Sequence, residues 1–452
     1  MIRPKRKVAL NAFCIFNLYI LLTISMLACR NDSLKKIEVL MQSEMHHEAK
    51  EQLEDYIKSE PNNAQARMLL GKTYNVLGQH HDAVDQFKKA SLLYSSVPKE
   101  RITARFALAR TYLIFGDRKS AFAVLNLIQK GTSDEKTLRK VIQLVGDSYV
   151  TKQLTFGNSD NYSPVFSSDS TEIAFSSFRT DNSEIYLMNL DGQIKQRVTY
   201  TTDYNDTSPT FLSNPNYIFY SSEPKSSREV KVVIQSSGST PIYTGFNITH
   251  IHSKVTQPIL PISFGARVPR SSPSGNRIVY ETNTDGNLEI YLMDLSATDL
   301  SQLNPADIPK KRITNNDIDD GSPTFFPSGK RIVFVSSRNE VHQLYTIDID
   351  GKNEKHLNPS QYDTYNPTVS PDGKTIAFVS ARDGDWEIYL VDSNGKNERQ
   401  ITSGIGRSIQ PAFSPDGRYL AFVSDRSDTF HIYLMDLDKP VTREELVKLL
   451  QQ

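Results

Sequence analysis

Cysteine is nearly absent from this chain of 452 residues, and net charge is absent altogether. The two cysteines are Cys14 and Cys29, and Cys14 lies in an apolar segment at the N-terminus. Removal of that segment leaves one cysteine and no internal disulfide, so the folded domains depend on their hydrophobic cores. Lys plus Arg and Asp plus Glu number 52 each, so no global field attracts nucleic acid or an anionic membrane. We therefore expect no nucleic-acid partner.

The N-terminal segment is typical of an export signal. Arg3, Lys5, Arg6 and Lys7 precede residues 8–27, which are mostly apolar. The sequence Met26-Leu27-Ala28-Cys29 resembles the lipobox of bacterial lipoproteins, in which the cysteine is lipidated and becomes the new N-terminus. We expect residues 1–28 to be a signal peptide and residues 29–33 a lipidated tether. The alternative is an uncleaved anchor, because about 20 apolar residues also span a bilayer.

Residues 34–150 carry a helical repeat. Small and large apolar residues recur with the spacing of tetratricopeptide repeats, at Leu70, Gly71, Tyr74, Gly78, Ala83, Phe87 and Ala90, and again at Leu108, Ala109, Tyr112, Gly116, Ala121, Leu125 and Ile128. The small residues allow two helices to approach closely, and the large ones fill the space between neighbouring hairpins. Residues 135–150 are expected to form a helix that either closes the stack or links it to the next domain.

Residues 151–440 carry a different repeat. Six segments begin with a marker proline, at Pro164, Pro209, Pro269, Pro323, Pro367 and Pro411. Each contains short runs of β-branched and aromatic residues, and the last two contain Ser-Pro-Asp-Gly, a type I turn by residue choice. Six repeats of roughly 45 residues with four strands each predict a six-bladed β-propeller. The fold class is thus multidomain, with helical repeats before an all-β propeller, and residues 441–452 form a short C-terminal helix.

The outer strand of the last blade is missing from its expected place. Other blades end in a short run with threonine, such as Arg197-Val198-Thr199, and a weaker version occurs at Ile242-Tyr243-Thr244 of the second blade. No such run follows the sixth blade, whereas Gln153-Leu154-Thr155 precedes the first. We predict that this run pairs with the sixth blade and closes the ring, which also protects two open sheet edges.

The turns and the Ile-Tyr-Leu-Met-Asp third strands resemble those of TolB, the periplasmic component of the Tol–Pal system, and related propellers. The resemblance covers about 290 residues and implies a propeller that binds other proteins. TolB proteins have an α/β domain before the propeller, whereas this chain has helical repeats.

Most residues that recur from blade to blade are expected to be structural. This applies to Asp294, Asp348, Asp392 and Asp436, and to Glu184, Glu289 and Glu387. Arginines that follow the second strand either pair with hairpin carboxylates or form a partner-binding face with the loops between blades. The candidate residues of this face are Arg179, Arg338, Arg382, Arg426, Tyr162, Asp206, Asp320 and Asp363.

The function expected from these patterns is a non-catalytic scaffold of the cell envelope, anchored by lipid at Cys29 and facing the periplasm from the outer membrane. Its partners would be envelope proteins or peptides, such as peptidoglycan-associated or outer-membrane proteins. No Gly-x-Ser-x-Gly, His-Glu-x-x-His or Walker motif is present, so we expect no enzyme activity, cofactor or metal. The alternative is a lyase-type or hydrolase-type propeller enzyme acting on an envelope polysaccharide, with His250 and His252 as candidate metal ligands.

Overall fold

The computed structural model of the protein describes residues 33–225, 244–297, 299–301, 303–338, 340–357, 361–382, 384–404 and 406–451. The expected signal peptide, Cys29, and the pair Ile242 and Tyr243 lie outside these residues. Two compact units are formed, one by residues 33–141 with 446–451 and one by residues 142–445. The second unit thus begins within a helix, earlier than residue 151, where we expected the propeller to start.

The first unit is helical, as expected. The helices of the chain are α1 (33–42), α2 (His46–Ser59), α3 (Ala64–Val76), α4 (His80–Leu93), α5 (Pro98–Ile114), α6 (Arg118–Lys130), α7 (Glu135–Val145) and α8 (Arg443–Leu449). From α2 to α6, each helix packs on the next. Within the described ranges, no helix has the length and apolar character needed to span a membrane.

Two of the helical hairpins are built alike. Gly78 follows α3 and Gly116 follows α5, both with positive φ (72° and 82°), a conformation that ends a helix at low cost for glycine. In the helix contact of the first hairpin, a Cβ on Gly71 would lie 2.6 Å from the Phe87 ring. Ala83 and Ala121, at matching positions in α4 and α6, are fully buried. These small residues let the paired helices approach closely.

The second unit consists of six antiparallel four-stranded sheets, which confirms the six-bladed propeller. Blade 1 contains β2 (Asn161–Phe166), β3 (Glu172–Ser177), β4 (Glu184–Asn189) and β5 (Ile194–Arg197), and blade 2 contains β6 (Tyr204–Phe211), β7 (Tyr217–Pro224), β8 (Gly245–His250) and β9 (Thr256–Leu260). Blade 3 contains β10 (Arg267–Ser271), β11 (Arg277–Thr282), β12 (Glu289–Asp294) and β13 (Lys310–Arg312), and blade 4 contains β14 (Asp320–Phe325), β15 (Arg331–Ser336), β16 (Gln343–Asp348) and β17 (Lys355–His356). Blade 5 contains β18 (Tyr365–Val369), β19 (Thr375–Ser380), β20 (Glu387–Asp392) and β21 (Arg399–Gln400), and blade 6 contains β22 (Ser408–Phe413), β23 (Tyr419–Ser424), β24 (His431–Pro440) and β1 (Tyr149–Gln153).

The outer strand of blade 6 is β1, which precedes blade 1 in the chain. Gln153 lies opposite Tyr433 in an antiparallel pair. The pairing continues past the strand, where the Leu154 N–H donates to the Ile432 carbonyl (2.7 Å) and the Ile432 N–H donates to Thr155 Oγ1 (2.9 Å). Leu154 is buried in the core between blades 6 and 1. The residues Gln153-Leu154-Thr155 thus lie at the seam of the ring.

Each marker proline lies at a β-bulge in the inner strand of its blade. The residue before each proline has a positive φ: Ser163 (53°), Ser208 (50°), Val268 (51°), Ser322 (50°), Asn366 (47°) and Gln410 (51°). The register between the inner strand and the second strand shifts at these positions in all six sheets. Because a bulge bends its strand, the repeated bulge bends the inner strand of every blade in the same way.

Blade 2 differs from the predicted pattern at its outer strand. We expected Ile242-Tyr243-Thr244 to form it, but the outer strand is β9, and Thr244 comes directly before the third strand β8. The long stretch after β7 joins the second strand to the third, so the prediction placed the end of the blade one strand too early. Pro258 is compatible with β9 because an outer strand has one unpaired edge.

Candidate partner-binding face of the propeller

One face of the propeller is formed by two kinds of connection. In a four-stranded antiparallel blade, the loop between strands two and three and the connection to the next blade lie at the same end. A backbone bond of 2.6 to 2.9 Å joins these loops at all six blade boundaries, with donors Asn161, Asp206, Ala266, Asp320, Thr364 and Ser408 and acceptors Phe430, Ser183, Thr244, Leu288, His342 and Trp386, respectively. We call this surface the connection face.

The four predicted arginines are held in a repeated arrangement on the connection face. Each donates through Nε to the serine two residues earlier, and in blade 5 Arg382 Nε lies 3.1 Å from Ser380 Oγ. The other three pairs are Arg179 with Ser177, Arg338 with Ser336, and Arg426 with Ser424. Each guanidinium also lies over the tyrosine of the third strand, at 4.3 to 4.9 Å, namely Tyr186, Tyr345, Tyr389 and Tyr433. This geometry combines hydrogen bonding with cation–π attraction.

Three of these arginines also form ion pairs. Arg338 contacts Asp320 (3.3 Å) and Glu354, and Arg382 contacts Glu398. Arg426 contacts Asp147 at 2.8 Å. In blade 1, Arg179 instead donates to the amide oxygen of Asn161 (3.2 Å). The arginine side chains therefore stabilise the blades, which agrees with the structural interpretation, although two of the carboxylates are not in hairpins.

The structure separates the other four candidate residues into buried and accessible ones. Tyr162, Asp206 and Asp320 are buried, at 8%, 0% and 0% exposure. Tyr162 packs against Phe178 and Phe430. A partner on this face would not touch these three side chains directly, because they are buried beneath the loops. Asp363 is accessible, with 42% of its side chain exposed, and contacts the backbone N–H and Nδ1 of His342.

The recurring glutamates hold the residues at or just after the end of the outer strand in blades 1, 3 and 5. Glu184 accepts from Arg197 (2.8 Å) and from the backbone N–H of Thr201 (2.8 Å), and it also contacts Thr199. Glu289 repeats the pattern with Arg312 and the backbone of Asn316. Glu387 accepts from Thr402 Oγ1 at 2.6 Å. These side chains are buried and hydrogen-bonded, which agrees with a structural role.

Burial changes the acidity of two carboxyls beneath the connection face. Loss of hydration raises the pKa of Asp206 to about 7, and Ser222, which lies 2.5 Å away, partly opposes the shift. Loss of hydration likewise raises the pKa of Glu387 to about 8, where the nearby Asp147 adds to the effect and Thr402 and Arg426 oppose it. Both carboxyls thus bind protons more tightly than in water.

Three of the recurring aspartates, Asp294, Asp348 and Asp392, end the third strand of their blades, and Asp436 lies within the longer third strand of blade 6. In blades 4 and 5, Asp348 and Asp392 accept from Asn353 and Asn397 at 2.7 Å. In blade 3, Asp294 pairs with Arg277, the first residue of the second strand, and in blade 6, Asp436 pairs with Arg418, which directly precedes the second strand. Each contact joins neighbouring strands or fixes a hairpin, so these aspartates are structural.

The histidine pair of blade 2 does not have the predicted geometry. His250 is the last residue of β8, and His252 lies in the turn that follows, so they do not share one face of a strand. The ring centroids are 5.9 Å apart, and His250 Nδ1 accepts from the backbone N–H of Ser253. No group of three potential metal ligands occurs within the residues that the structure covers.

The connection face also carries apolar residues that the candidate set did not contain. Among the described residues of the second unit, nine large apolar side chains are exposed, and six of them lie in the connections between blades or at their ends: Phe156, Tyr200, Tyr204, Phe264, Ile318 and Tyr362. Four of the six, Tyr204, Phe264, Ile318 and Tyr362, occupy one equivalent position, two residues before the backbone donor of the bond between blades. Alignment of the blades on these bonds would have identified them.

A family model described as "TolB beta propeller domain" matches residues 353–445, which include blade 5 and the strands β22 to β24 of blade 6. Among solved structures, TolB from Acinetobacter baumannii is 22% identical, with a TM-score of 0.44, and the match covers 61% of this chain and 65% of that protein. A putative TolB from Agrobacterium tumefaciens is 18% identical, with a TM-score of 0.44, and the match covers 66% of this chain and 99% of that one. An oligogalacturonate lyase from Vibrio parahaemolyticus is 13% identical, with a TM-score of 0.43, over 64% of this chain and 95% of that one.

Proposed function

We propose that this protein is a non-catalytic scaffold of the cell envelope that binds other proteins in a TolB-like manner. Two surfaces are proposed to take part, the groove of tetratricopeptide-like helices and the connection face of the propeller. Lipidation at Cys29 would anchor the chain in the outer membrane, facing the periplasm, since several acyl chains give stable anchoring. Envelope proteins or peptides would be its partners.

The observation that carries this proposal is the location of the exposed apolar side chains. Tyr200 and Phe156, with 60% and 71% of their surface exposed, lie on the connection face together with four further residues. Scattered apolar residues are normal on a protein surface, whereas a concentration on one face is typical of interaction sites. Tyrosine is moreover favoured at interface hot spots.

A similar feature supports a role for the helical unit. Val76 and Ile114 are each 60% exposed, and each lies two residues before the glycine that ends the first helix of its hairpin. Equivalent apolar positions in successive hairpins form a row, as in repeat proteins that bind along an extended surface.

Site-specific crosslinking in the native cells tests the proposal. A photo-crosslinking amino acid at Tyr200 should give covalent adducts with one or a few envelope proteins, identified by mass spectrometry. The matched control is Ile194, which is 39% exposed but lies in the β4–β5 hairpin at the opposite end of blade 1. Equal adducts at both positions, or none at Tyr200 when the variant is folded and anchored, would contradict the proposal.

The alternative of a propeller enzyme acting on an envelope polysaccharide makes a different prediction. It requires bound metal in the purified protein and loss of activity on substitution of His250 and His252. His250 Nδ1 accepts a local hydrogen bond from Ser253, which fits a turn-stabilising role. Metal analysis of the purified chain, with the double substitution as comparison, decides between the two functions.

A further inference from the structure

Four exposed apolar residues occupy one register position in consecutive blades. Each lies two residues before the residue whose backbone N–H bonds to the preceding blade, at Asp206, Ala266, Asp320 and Thr364. The four residues are Tyr204, Phe264, Ile318 and Tyr362, at the start of blades 2, 3, 4 and 5. Because these backbone bonds repeat around the ring, the four positions are structurally equivalent. We call this set the apolar arc.

The apolar arc stops at the seam of the ring. At the same register position, blade 1 has Ser159 and blade 6 has Gly406. The four arc residues have similar exposures, from 37% to 43%, so each presents part of its side chain and packs the rest. A partly packed side chain loses little further conformational freedom on binding, which favours its use in an interface.

Among the described residues of the connection face, the exposed charges that lie outside ion pairs are mainly negative. Six exposed carboxylates of the connection face form no ion pair within the described part of the chain, namely Asp181, Asp203, Asp317, Glu340, Asp385 and Asp428. Within the described residues, the exposed cations of this face are Arg179 and Lys225. The cations Arg338, Arg382, Arg407 and Arg426 are already engaged with carboxylates.

We propose that the apolar arc and these carboxylates together bind a protein segment in which lysine or arginine alternates with apolar residues. The apolar side chains would lie against Tyr204, Phe264, Ile318 and Tyr362, and the basic ones against the unpaired carboxylates of the same face. This inference rests on the proposed function of the connection face and adds the chemistry of the partner. Electrostatic complementarity of this kind supplies specificity and fast association.

The same charges disfavour other occupants. Phosphate-rich surfaces, whether of nucleic acid or of an anionic bilayer, are repelled by the unpaired carboxylates. A second copy of this chain would present the same acidic face, so face-to-face association would bring like charges together.

Binding of synthetic peptides to the full protein tests the inference. The first probe is a peptide of about 12 residues, enough for some 40 Å of extended chain, in which lysine alternates with leucine. A second probe has glutamate in place of lysine, and a third has serine in place of leucine. Fluorescence anisotropy should give a dissociation constant for the first probe at least about tenfold lower than for either of the others. Its affinity should fall as salt rises from about 0.05 to 0.3 M, because exposed charges are screened.

Two variants locate the binding. The triple variant Tyr204→Ser, Ile318→Ser, Tyr362→Ser should raise the dissociation constant of the lysine–leucine peptide at least about tenfold. The double variant Asp203→Asn, Asp317→Asn leaves the apolar arc intact and should reduce both affinity and salt dependence. The matched control, Ile194→Ser, removes an exposed apolar residue from the opposite end of blade 1 and should bind as the parent does. Near-ultraviolet circular dichroism establishes that each variant is folded.

Four results would overturn the inference: equal binding of the glutamate peptide, equal binding of the serine peptide, unchanged affinity in the triple variant, or unchanged affinity in the aspartate variant. Concentration-dependent self-association that the triple variant abolishes would assign the arc to a second copy and would also overturn it. If crosslinks form at Tyr200 in cells but the lysine–leucine peptide does not bind, the partner chemistry is wrong and the scaffold function stands. If neither occurs, both proposals fail.

Discussion

Asp147 and Arg426 form a two-pronged ion pair in which Nη1 and Nη2 of the arginine lie 2.8 Å and 3.2 Å from the two carboxylate oxygens. The aspartate side chain is 6% exposed, and that of the arginine is 23% exposed. In blades 4 and 5, the corresponding arginines use Glu354 and Glu398 of their own blades. Blade 6 instead uses a residue from the segment between α7 and β1, which comes before all six blades in the chain.

Loss of this pair should destabilise the propeller. Asp147→Ala leaves the half-buried Arg426 without its carboxylate, and we expect a cost of about 2 to 3 kcal/mol, somewhat less than for a fully buried pair. Trp386 is the one tryptophan of the chain and lies at the boundary between blades 5 and 6, so its fluorescence during urea unfolding reports the change. The control is Asp350→Ala, where a carboxylate 54% exposed pairs with Lys352 and should contribute less than about 0.5 kcal/mol. Equal effects of the two substitutions would contradict the assigned role.

The seam of the ring depends on the backbone of Leu154 passing close to a glycine of blade 1. A Cβ on Gly192 would lie 2.4 Å from the Leu154 carbonyl oxygen, and the φ of Gly192 is +84°. Gly192→Ala should therefore cost about 1 to 3 kcal/mol from the backbone conformation and a similar amount from the forced contact.

The matched control for this substitution is Gly286→Ala. Gly286 also has a positive φ (+107°), but nothing lies within 4 Å of its added Cβ. Only the conformational cost applies there, so the difference between the two unfolding midpoints isolates the contact with the closing strand. Identical midpoints would mean that the forced contact with the Leu154 backbone costs no stability.

Stability should decrease with rising pH because of Glu387. Its pKa is raised from 4.5 to about 8, so the folded protein binds this proton more tightly than the unfolded chain does. The resulting stabilisation is complete below pH 4.5 and is lost as the pH rises towards 8. Glu387→Gln retains a polar group near Thr402 but does not titrate, and it should lose less stability than the parent between pH 5 and pH 8. The exposed Glu340→Gln serves as control and should follow the parent curve.

In the helical unit, Gly71→Ala should destabilise although alanine is the better helix former. The gain in helix propensity is about 1 kcal/mol, whereas the added Cβ would meet three carbons of the fully buried Phe87 ring at 2.6 to 2.9 Å. We expect a net loss of about 1 to 2 kcal/mol, because the ring has little room to move. The neighbouring exposed Lys72→Ala is the control, and circular dichroism at 222 nm follows the helices. A stabilised Gly71→Ala protein would show that the two helices are less tightly packed.

The sequence predicts the number of blades because one proline in each repeat has a fixed structural place. A proline locks its own φ and has no N–H to donate, so it suits the bulge of an inner strand in all six blades. In blade 2, the same kind of prediction fails for the outer strand. Its long stretch after β7 has no repeat-like residues, so Ile242-Tyr243-Thr244 was the best available match for the outer strand, whereas β9 contains Pro258 and has no Thr-terminated run.

The candidate face could be predicted as a face but not residue by residue. The topology of the blades puts Asp206, Asp320 and Asp363 at one end, yet exposure differs from 0% for the first two residues to 42% for the side chain of the third. Whether a loop carboxylate turns inwards depends on partners from other blades and strands, such as Ser222 for Asp206. A single sequence does not reveal those partners, and for the same reason it could not show that Asp147 pairs with Arg426.

The pairing of β1 with β24 also sets the order in which the chain becomes a finished ring. The hydrogen bond between Thr155 and His431 joins residues 276 positions apart, and the intervening chain contains all strands of the other five blades. Long-range contacts form slowly because the chain between them must first be ordered. Five blades can therefore form before the ring is closed, because the sixth blade is incomplete until β24 has been synthesised. We expect the edge of β1 to stay unpaired during synthesis until β24 emerges, which leaves it open to wrong pairing or proteolysis, and a chain truncated before residue 431 would keep this edge unpaired.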